Sequence, residues 1–307
     1  DASLEQAKRT INRFFREKGF WGTKVTTRTE ASDEIENRSI LYFNVEKGEK
    51  LEIKDIRFEG AELFTEKQLL KVIKPVKEDA WWKFLSKKLY KKEDFDEGVT
   101  NLMTHFQEQG HVDARIISDS LWVESFEDGK DGLILSFSIY EGPQYKVRDI
   151  TWDGNTVYTD EQLSQSLGFS KGDIFNQTLY DENLNFNKTS TDINSLYQNI
   201  GYLFFQAIPT IKKVGEDSLD IHFDIYEDEI ATIRRVTFSG NTQTHDDVVR
   251  RTLRTIPGAT YSRDAIVRSV RELSTLGFFD PQNITPDVQP IPQNKEVDVS
   301  FVVDESA

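Results

Sequence analysis

The chain has 307 residues, no cysteine and a formal net charge of −15 at pH 7. This length suits two to four small domains, and an acidic chain is repelled by phosphate groups, which argues against nucleic-acid binding. The lack of cysteine excludes disulfides, thiolate nucleophiles and cysteine-ligated metals, and no apolar run in the sequence approaches the length of a membrane-spanning helix.

The first predicted elements, in residues 1–48, are a helix and a strand. Ile11 and Phe15 precede Gly19 at helical spacing, and glycine is a common helix terminator. Alternating apolar residues then predict a strand through Leu41, Phe43 and Val45. We interpret this segment as the second half of a module that recurs along the rest of the chain.

Three later segments share one strand pattern. An apolar residue is followed by a second one three positions later, by an aromatic residue two positions after that, and then by glycine. The three-residue step changes face and predicts a β-bulge, and the glycine predicts a positive φ where the strand ends. The positions are Ile53, Ile56, Phe58, Gly60; Val147, Ile150, Trp152, Gly154; and Ile233, Val236, Phe238, Gly240.

A helix start follows each of these strands. Thr65 with Gln68, and Thr159 with Gln162, have the spacing of a capping box. The third copy has a weaker match, Thr244 with Asp247. The next residues are expected to face a core: Leu69, Leu163 and Val248.

A second helix in each copy is predicted to end at a glycine: Gly110, Gly201 or Gly277. Apolar residues lie four and eight positions before each glycine, except that Ser269 breaks the pattern in the last copy. Each copy then closes with an alternating strand, as in Leu219, Ile221, Phe223 and Ile225. Such alternation predicts a sheet with one face exposed to water.

The repeated unit is therefore strand, helix, helix, strand, strand. We predict an α+β fold of tandem β-α-α-β-β modules, in which two helices pack on a three-stranded mixed sheet. The predicted domains are half a module at 1–48 and whole modules at 49–141, 142–228 and 229–307. The short junctions predict an articulated rod whose modules share little core, with Gly142 and Pro143 as a candidate hinge.

These repeats resemble POTRA (polypeptide-transport-associated) domains. The resemblance rests on the strand ending in aromatic-x-Gly, the helix ending in Gly-aromatic and the acidic residue after the last strand. The insert "DAWWKFLSKKLYKKEDF" and the final "LSTLGFF" and "VDVSFVVDES" resemble the outer-membrane β-barrel assembly factors within that superfamily. The resemblance implies that the modules are half of the second POTRA followed by the third, fourth and fifth, with a transmembrane barrel outside this chain.

What the resemblance implies about function is a protein-binding scaffold in the periplasm of a Gram-negative bacterium. Its implied partners are unfolded outer-membrane β-barrel proteins, received by β-augmentation, and accessory assembly lipoproteins; no nucleic acid and no cofactor are implied. Rival interpretations are the POTRA array of a paralogous secretion or translocation transporter, a purely structural spacer and a hydrolytic enzyme. A catalytic function is disfavoured because the sequence contains no nucleophile elbow, phosphate loop or dinucleotide fingerprint.

In the usual POTRA topology the second strand of each module is an open edge, here roughly residues 112–123, 204–212 and 283–289. Prolines lie in or beside the later two, at 209, 286 and 290, and proline removes a backbone donor. The first edge has none, so we expect it to accept an extended peptide. The candidate residues are Ala114, Arg115, Ile116, Ile117, Ser118 and Asp119.

Two further features have open interpretations. Trp81 and Trp82 either cap a core beneath the insert or anchor a partner through an exposed ring. His105 and His111 flank Glu108, but zinc sites need three or four convergent ligands, and the helix and strand predicted here place the two imidazoles on different elements. We therefore predict no metal site.

Overall fold

The computed structural model describes residues 2–31, 39–73, 90–127 and 129–305. The chain divides into two compact units, which are Asp1–Gln107 with His111–Pro143, and Glu108–Gly110 with Gln144–Ala307. Within the described ranges, no helix combines the length and the apolar character needed to span a membrane.

The N-terminal part of the first unit contains one helix and two small antiparallel pairs of strands. β2 pairs with β3, and β1 pairs with β4. The helix buries none of its residues, and most residues of β3 are exposed. The elements are α1 (Ala2–Glu17), β1 (Phe20–Trp21), β2 (Lys24–Ala31), β3 (Ser39–Glu46) and β4 (Glu49–Lys50).

The rest of the first unit is a whole module. Its central strand β7 lies between β5, to which it is parallel, and β6, to which it is antiparallel. Residues of both helices and of β7 form one buried cluster, including Leu69, Leu102, Phe106 and Phe137. The elements are β5 (Ile53–Glu59), α2 (Glu66–Val72), α3 (Lys92–Glu108), β6 (Arg115–Ser125) and β7 (Asp131–Tyr140).

The second unit starts with a module of the same topology, in which β10 lies between parallel β8 and antiparallel β9. It has three helices, so the predicted pair is wrong here. The additional helix α5 begins at the N-cap Asn176 and buries Tyr180 and Leu184. The elements are β8 (Lys146–Asp153), α4 (Asp160–Leu167), α5 (Gln177–Asn185), α6 (Ile193–Asn199), β9 (Gln206–Val214) and β10 (Ser218–Tyr226).

The last module repeats the arrangement, with β13 between parallel β11 and antiparallel β12. The mixed three-stranded sheets and their helices confirm the predicted α+β fold class. The elements are β11 (Thr232–Ser239), α7 (Asp246–Thr252), α8 (Arg263–Thr275), β12 (Thr285–Ile291), a 3₁₀ turn (Pro292–Asn294) and β13 (Glu296–Val302).

The strand pattern is confirmed in all three copies. The pairing of the first strand with the central strand shifts register at the three-residue step, which leaves Lys54, Arg148 and Arg234 as the extra residues of β-bulges. The glycine that ends each strand has a positive φ, and a Cβ there would collide with a carbonyl oxygen of the module's last strand or of the residue that follows it. Those oxygens belong to Ile139, Ile225 and Val303.

Two of the three predicted helix starts are confirmed, because capping boxes form at Thr65 and Thr159 and bury Leu69 and Leu163. The third prediction is wrong by one residue. The N-cap there is His245, without a side-chain cap. The residue facing the core is consequently Val249, while Val248 is exposed.

Ser269 occupies a fully buried position on the core face of α8. Its hydroxyl donates to the carbonyl of Ala265 at 2.8 Å and accepts the backbone N–H of Arg254 at 2.8 Å. A buried hydroxyl is tolerated when its hydrogen bonds are made. Ser269 therefore replaces the expected apolar residue with a bond that joins α8 to the segment that follows α7.

The two modules of the second unit share apolar contacts, so the prediction of separate cores is wrong there. Leu203 and Phe204, before β9, pack against the buried cluster of the last module. The backbone N–H of Ala231 donates to Gly201 at 2.8 Å. A carboxylate of Asp228 also pairs with Lys295 at 2.7 Å. We therefore expect these two modules to unfold cooperatively.

Candidate peptide-binding edge

β6 is an edge strand whose bounds, Arg115–Ser125, begin slightly later than the predicted 112–123. It pairs with β7 on one side and with no second strand among the described residues. An unpaired edge presents backbone N–H and C=O groups that can bind an added strand. At 11 residues, β6 is longer than the corresponding strands β9 and β12.

The alternation of a regular strand, which would place Ala114, Ile116 and Ser118 on one face and Arg115, Ile117 and Asp119 on the other, is broken at Ile117. Ile116 is opposite Ile139 and Ser118 is opposite Ser138, so Ile117 is the extra residue of a β-bulge and is 63% exposed. The bulge reverses the faces that follow it. Ser118 consequently lies on the face away from the helices, although sequence alternation places it with Ile116.

The other candidate residues have distinct surroundings. Ala114 precedes the strand and packs against the buried cluster, as does Ile116. The guanidinium of Arg115 lies 4.2 Å from the ring centre of Tyr140. Asp119 is exposed and opposite Phe137. The candidate residues therefore do not form one continuous row of similarly exposed side chains.

The corresponding strands of the other modules contain the predicted prolines. Pro209 of β9 is opposite Phe223, and Pro286 and Pro290 of β12 are opposite Phe301 and Val297. Each proline removes a backbone donor. β9 and β12 therefore offer fewer N–H groups to an added strand than β6 does.

Loops partly cover the opposite edges in the second unit, which the sequence did not predict. The loop before α5 bridges β8, with Val147 donating its N–H to Asp173 at 2.8 Å and accepting that of Gly172 at 2.7 Å. A loop before α8 makes the same two bonds with Ile233 of β11. Gly172 and Gly258, which have positive φ, were the available signal in the sequence.

A glutamate after the last strand of each module holds the loop between its first strand and first helix. Glu141 accepts the N–H of Leu63 at 3.0 Å, and Glu227 accepts those of Thr156 and Val157 at 2.8 and 2.9 Å. Hydrogen bonds led by the Thr242 hydroxyl, with the N–H groups of Thr244 and Gln243, lower the pKa of Glu305 to about 2. These carboxylates are structural anchors, since each is committed to a loop.

The remaining predicted residues lie outside the described residues or stay untested. Trp81 and Trp82 fall in the undescribed segment 74–89. Gly142 has a φ of +69°, and its carbonyl oxygen lies 3.1 Å from Nδ1 of His111. Pro143 is the last residue of the first unit. The hinge at these two residues remains a prediction.

The described residues contain no cluster of three or more potential metal ligands. A groove of about 480 Å³ beside α4 is lined by amides, hydroxyls and apolar groups: Tyr158, Gln162, Gln165, Ser166, Gly168, Asn183, Thr191 and Leu196. A second one, of about 360 Å³ beside α8, contains two arginines that are each paired with a carboxylate. Neither groove brings a nucleophile together with a general base.

Comparison with known families and structures shows what these modules resemble. The sequence model of the POTRA family, described as "Surface antigen variable number repeat", matches residues 51–142, 145–228 and 231–306. A crystal structure of Haemophilus influenzae BamA POTRA3-5 covers 83% of this chain and 96% of its own, with a TM-score of 0.62 and 21% identity. That similarity supports the fold.

Curated relatives carry the name outer membrane protein assembly factor BamA. The protein of Nitratidesulfovibrio vulgaris is 27% identical over 307 residues, which is 99% of this chain and 37% of the relative. The protein of Neisseria meningitidis is 20% identical and covers 94% of this chain, while the chain covers 35% of it. The chain thus spans little more than a third of these relatives, and the resemblance predicted from the repeats is confirmed.

Proposed function

This chain belongs to the POTRA family, and from that premise we propose that it is a periplasmic scaffold for outer-membrane protein assembly. It receives unfolded β-barrel precursors by β-augmentation and docks accessory assembly lipoproteins. The observation that carries the proposal is the outer edge of β6, which pairs with no other strand in the described part of the chain, is long and contains no proline. Main-chain pairing is tolerant of sequence, which suits a receptor for many precursors.

The full-length protein carries its barrel outside this chain, and the modules at 49–141, 142–228 and 229–307 are the third, fourth and fifth POTRA domains. The relatives named BamA and the coverage of the POTRA3-5 structure support this assignment. A paralogous secretion transporter is the nearest rival. Sequencing the remainder of the coding region distinguishes the two, because it identifies the barrel that accompanies these modules.

Binding is favoured over catalysis by the chemistry of the described grooves. Their ionisable groups are paired arginines and carboxylates beside α8, and beside α4 a single tyrosine, Tyr158, whose pKa is raised by burial. A spacer function is the remaining rival, and it differs from a receptor in one measurable respect. A spacer binds no precursor peptide.

The test is a pair of proline substitutions in β6, Asp119→Pro and Ser120→Pro. Both side chains are exposed, and neighbouring residues of a strand direct their N–H groups to opposite sides. One variant loses a bond to β7, and the other loses only a donor on the open edge. We expect the variant that loses only the open-edge donor to stay folded and to bind peptides more weakly than the wild type.

The measurement is nuclear magnetic resonance titration with a synthetic peptide copied from a transmembrane strand of an outer-membrane barrel. Thermal melting identifies which variant keeps the wild-type fold. Shifts of wild-type amides in 115–125 that disappear in that variant support the edge as the site. The proposal fails if those amides do not shift, or if the folded variant binds as tightly as the wild type.

A further inference from the structure

The regular part of the β6 edge begins after the bulge. From Ser118 to Ser125 every residue has an opposite partner on β7, without interruption. A bulge disrupts the ladder and increases the local twist. A peptide strand in continuous register therefore fits residues 118–125 better than the predicted 114–119.

One aromatic side chain dominates the outer face of this segment, which is the face away from the helices. Trp122 is opposite Ile134 of β7, and Ile134 is fully buried although it alternates with the core residues of that strand. The other outer residues of β6 towards the bulge are Ser118 and Ser120, opposite Ser138 and Ser136. The outer face thus has one large apolar position and two small ones.

The orientation of Trp122 is fixed from the side of the sheet. The guanidinium of Arg57, on β5, lies 5.7 Å from the ring centre, and the indole N–H donates to Glu124 at 3.3 Å. A strand added to β6 lies about 4.8 Å from it and places one side chain directly beside Trp122. Aromatic and β-branched side chains make the favourable cross-strand pairs with an aromatic residue.

The charge of the segment adds a second criterion. Between Ser118 and Ser125 the charged residues are Asp119 and Glu124, both acidic, within a chain of net charge −15. Like charges directly opposite in neighbouring strands are destabilising. An incoming strand with uncharged or basic residues therefore pairs better than an acidic one.

We propose that residues 118–125 select extended segments that place an aromatic or β-branched side chain beside Trp122 and carry uncharged or basic residues elsewhere. This inference rests on the proposed function, since it requires that β6 accepts a strand. The two other modules provide matched positions. Lys212 of β9 and Gln289 of β12 have the same register as Trp122, opposite Asp220 and Asp298.

The probes are two synthetic peptides of about ten residues, capped at both ends, with serine through the middle and lysine at the ends. They differ only at the central residue, which is phenylalanine in one and serine in the other. Affinity is measured by fluorescence anisotropy on the whole 307-residue chain, and the site is mapped by amide shifts. The phenylalanine peptide should bind roughly two- to fivefold more tightly, as a cross-strand aromatic pair allows.

Three variants locate the source of that preference. Trp122→Ser should abolish it, Trp122→Tyr should keep it, and the matched Lys212→Ser should leave it unchanged. Thermal melting checks that each variant is folded. The comparison of the two peptides on the unsubstituted chain needs no variant, so it remains a test even if Trp122→Ser unfolds.

The outcomes separate this inference from the proposed function. Equal affinities for the two peptides, or shifts confined to 114–117, overturn the selection by Trp122 while β-augmentation still holds. Absence of shifts anywhere in β6 with either peptide overturns the proposed edge and this inference with it. A preference that is lost in Trp122→Ser and kept in Trp122→Tyr, with shifts in 118–125, supports it.

Discussion

The sheet of the 49–141 module and the two sheets of the second unit share an inner register and differ on the outer face. In each sheet a phenylalanine of the central strand is opposite an aromatic residue of the first strand: Phe137 with Phe58, Phe223 with Trp152, and Phe301 with Phe238. On the outer face the corresponding central residues are Ile134, Asp220 and Asp298. One sheet therefore has an apolar outer position where the others have a carboxylate.

In each sheet of the second unit, the bulge residue of the first strand is an arginine that pairs with this carboxylate. In the second unit Arg148 donates through Nε to Asp220 at 2.7 Å, and Arg234 donates to Asp298 at 2.8 Å. Exposed ion pairs contribute little to stability, with a median of about 0–1 kcal/mol. The difference between the sheets thus concerns what each outer face can bind, while the common inner register maintains the fold.

The largest expected effect comes from the shared inner register. Phe223 is fully buried and stacks on Trp152 with ring centres 4.2 Å apart. We expect Phe223→Ala to destabilise its unit by about 3–5 kcal/mol, and Phe137→Ala and Phe301→Ala to have similar costs. Urea unfolding measures these values. If one of the three changes leaves the unfolding transition in place, the common register does not carry the stability.

A smaller effect is expected at the glycine that ends the first strand of the last module, for which a loop glycine serves as the control. Gly240 and Gly258 lie in the same module and both have positive φ. A Cβ at Gly240 would collide with the carbonyl oxygen of Val303, whereas one at Gly258 would meet no atom within 4 Å. Gly258→Ala should cost about 1–2 kcal/mol through backbone strain alone, and Gly240→Ala should cost clearly more. Equal costs by urea unfolding would contradict the close approach of the two strands.

A pH-dependent difference is expected between the glutamates that anchor the loops. Because its hydrogen bonds lower the folded-state pKa of Glu305 to about 2, below its unfolded value of about 4.3, ionised Glu305 stabilises the fold above that value. The contribution disappears as pH falls towards 2. Glu305→Gln should therefore destabilise the chain at pH 6, by an amount that shrinks between pH 4.5 and 2.

The matched control is Glu141→Gln, where the described hydrogen bond joins the carboxylate to a single backbone N–H, that of Leu63. Its effect at pH 6 should be the smaller of the two. Unfolding by urea across this pH range measures both. An effect of Glu305→Gln that does not change with pH would show that the ionised carboxylate is not what holds the loop.

The sequence predicts the parts of the fold that recur. The three-residue step and the glycine after it mark a bulge and a positive φ, because only a change of face explains that spacing in a strand. The bulge at Ile117 was missed because Ile116 and Ile117 are both apolar and no glycine marks the irregularity. Helix α5 was missed because the copies align on the glycine after the second helix, whereas in this copy residues 186–192 separate α5 from α6.

The candidate site was predictable only in outline. Sequence and topology identified β6 as the edge without proline. The choice of residues 118–125 within it depends on the register beyond the bulge, which the sequence does not give. The face on which Trp122 lies could not be read from alternation, since the bulge determines that it shares the outer face with Ile134. The loops that cover β8 and β11 depend on tertiary hydrogen bonds, which leave no periodic signal.

The smallest expected effect concerns the second edge, β9. Prolines in sheets are tolerated where the missing N–H faces away from the neighbouring strand, and Ile208 and Thr210 on either side of Pro209 keep their register with β10. Pro209 thus removes a donor from the open side. Pro209→Thr should restore that donor with a residue that favours strands, and so create a weak second site for an extended peptide.

Ile208→Thr, an exposed neighbour, introduces threonine without restoring an N–H and serves as the control. New amide shifts in 206–214 should appear on titration of Pro209→Thr with a barrel-strand peptide and be absent from the control. If both variants respond alike, proline is not what distinguishes β9 from β6.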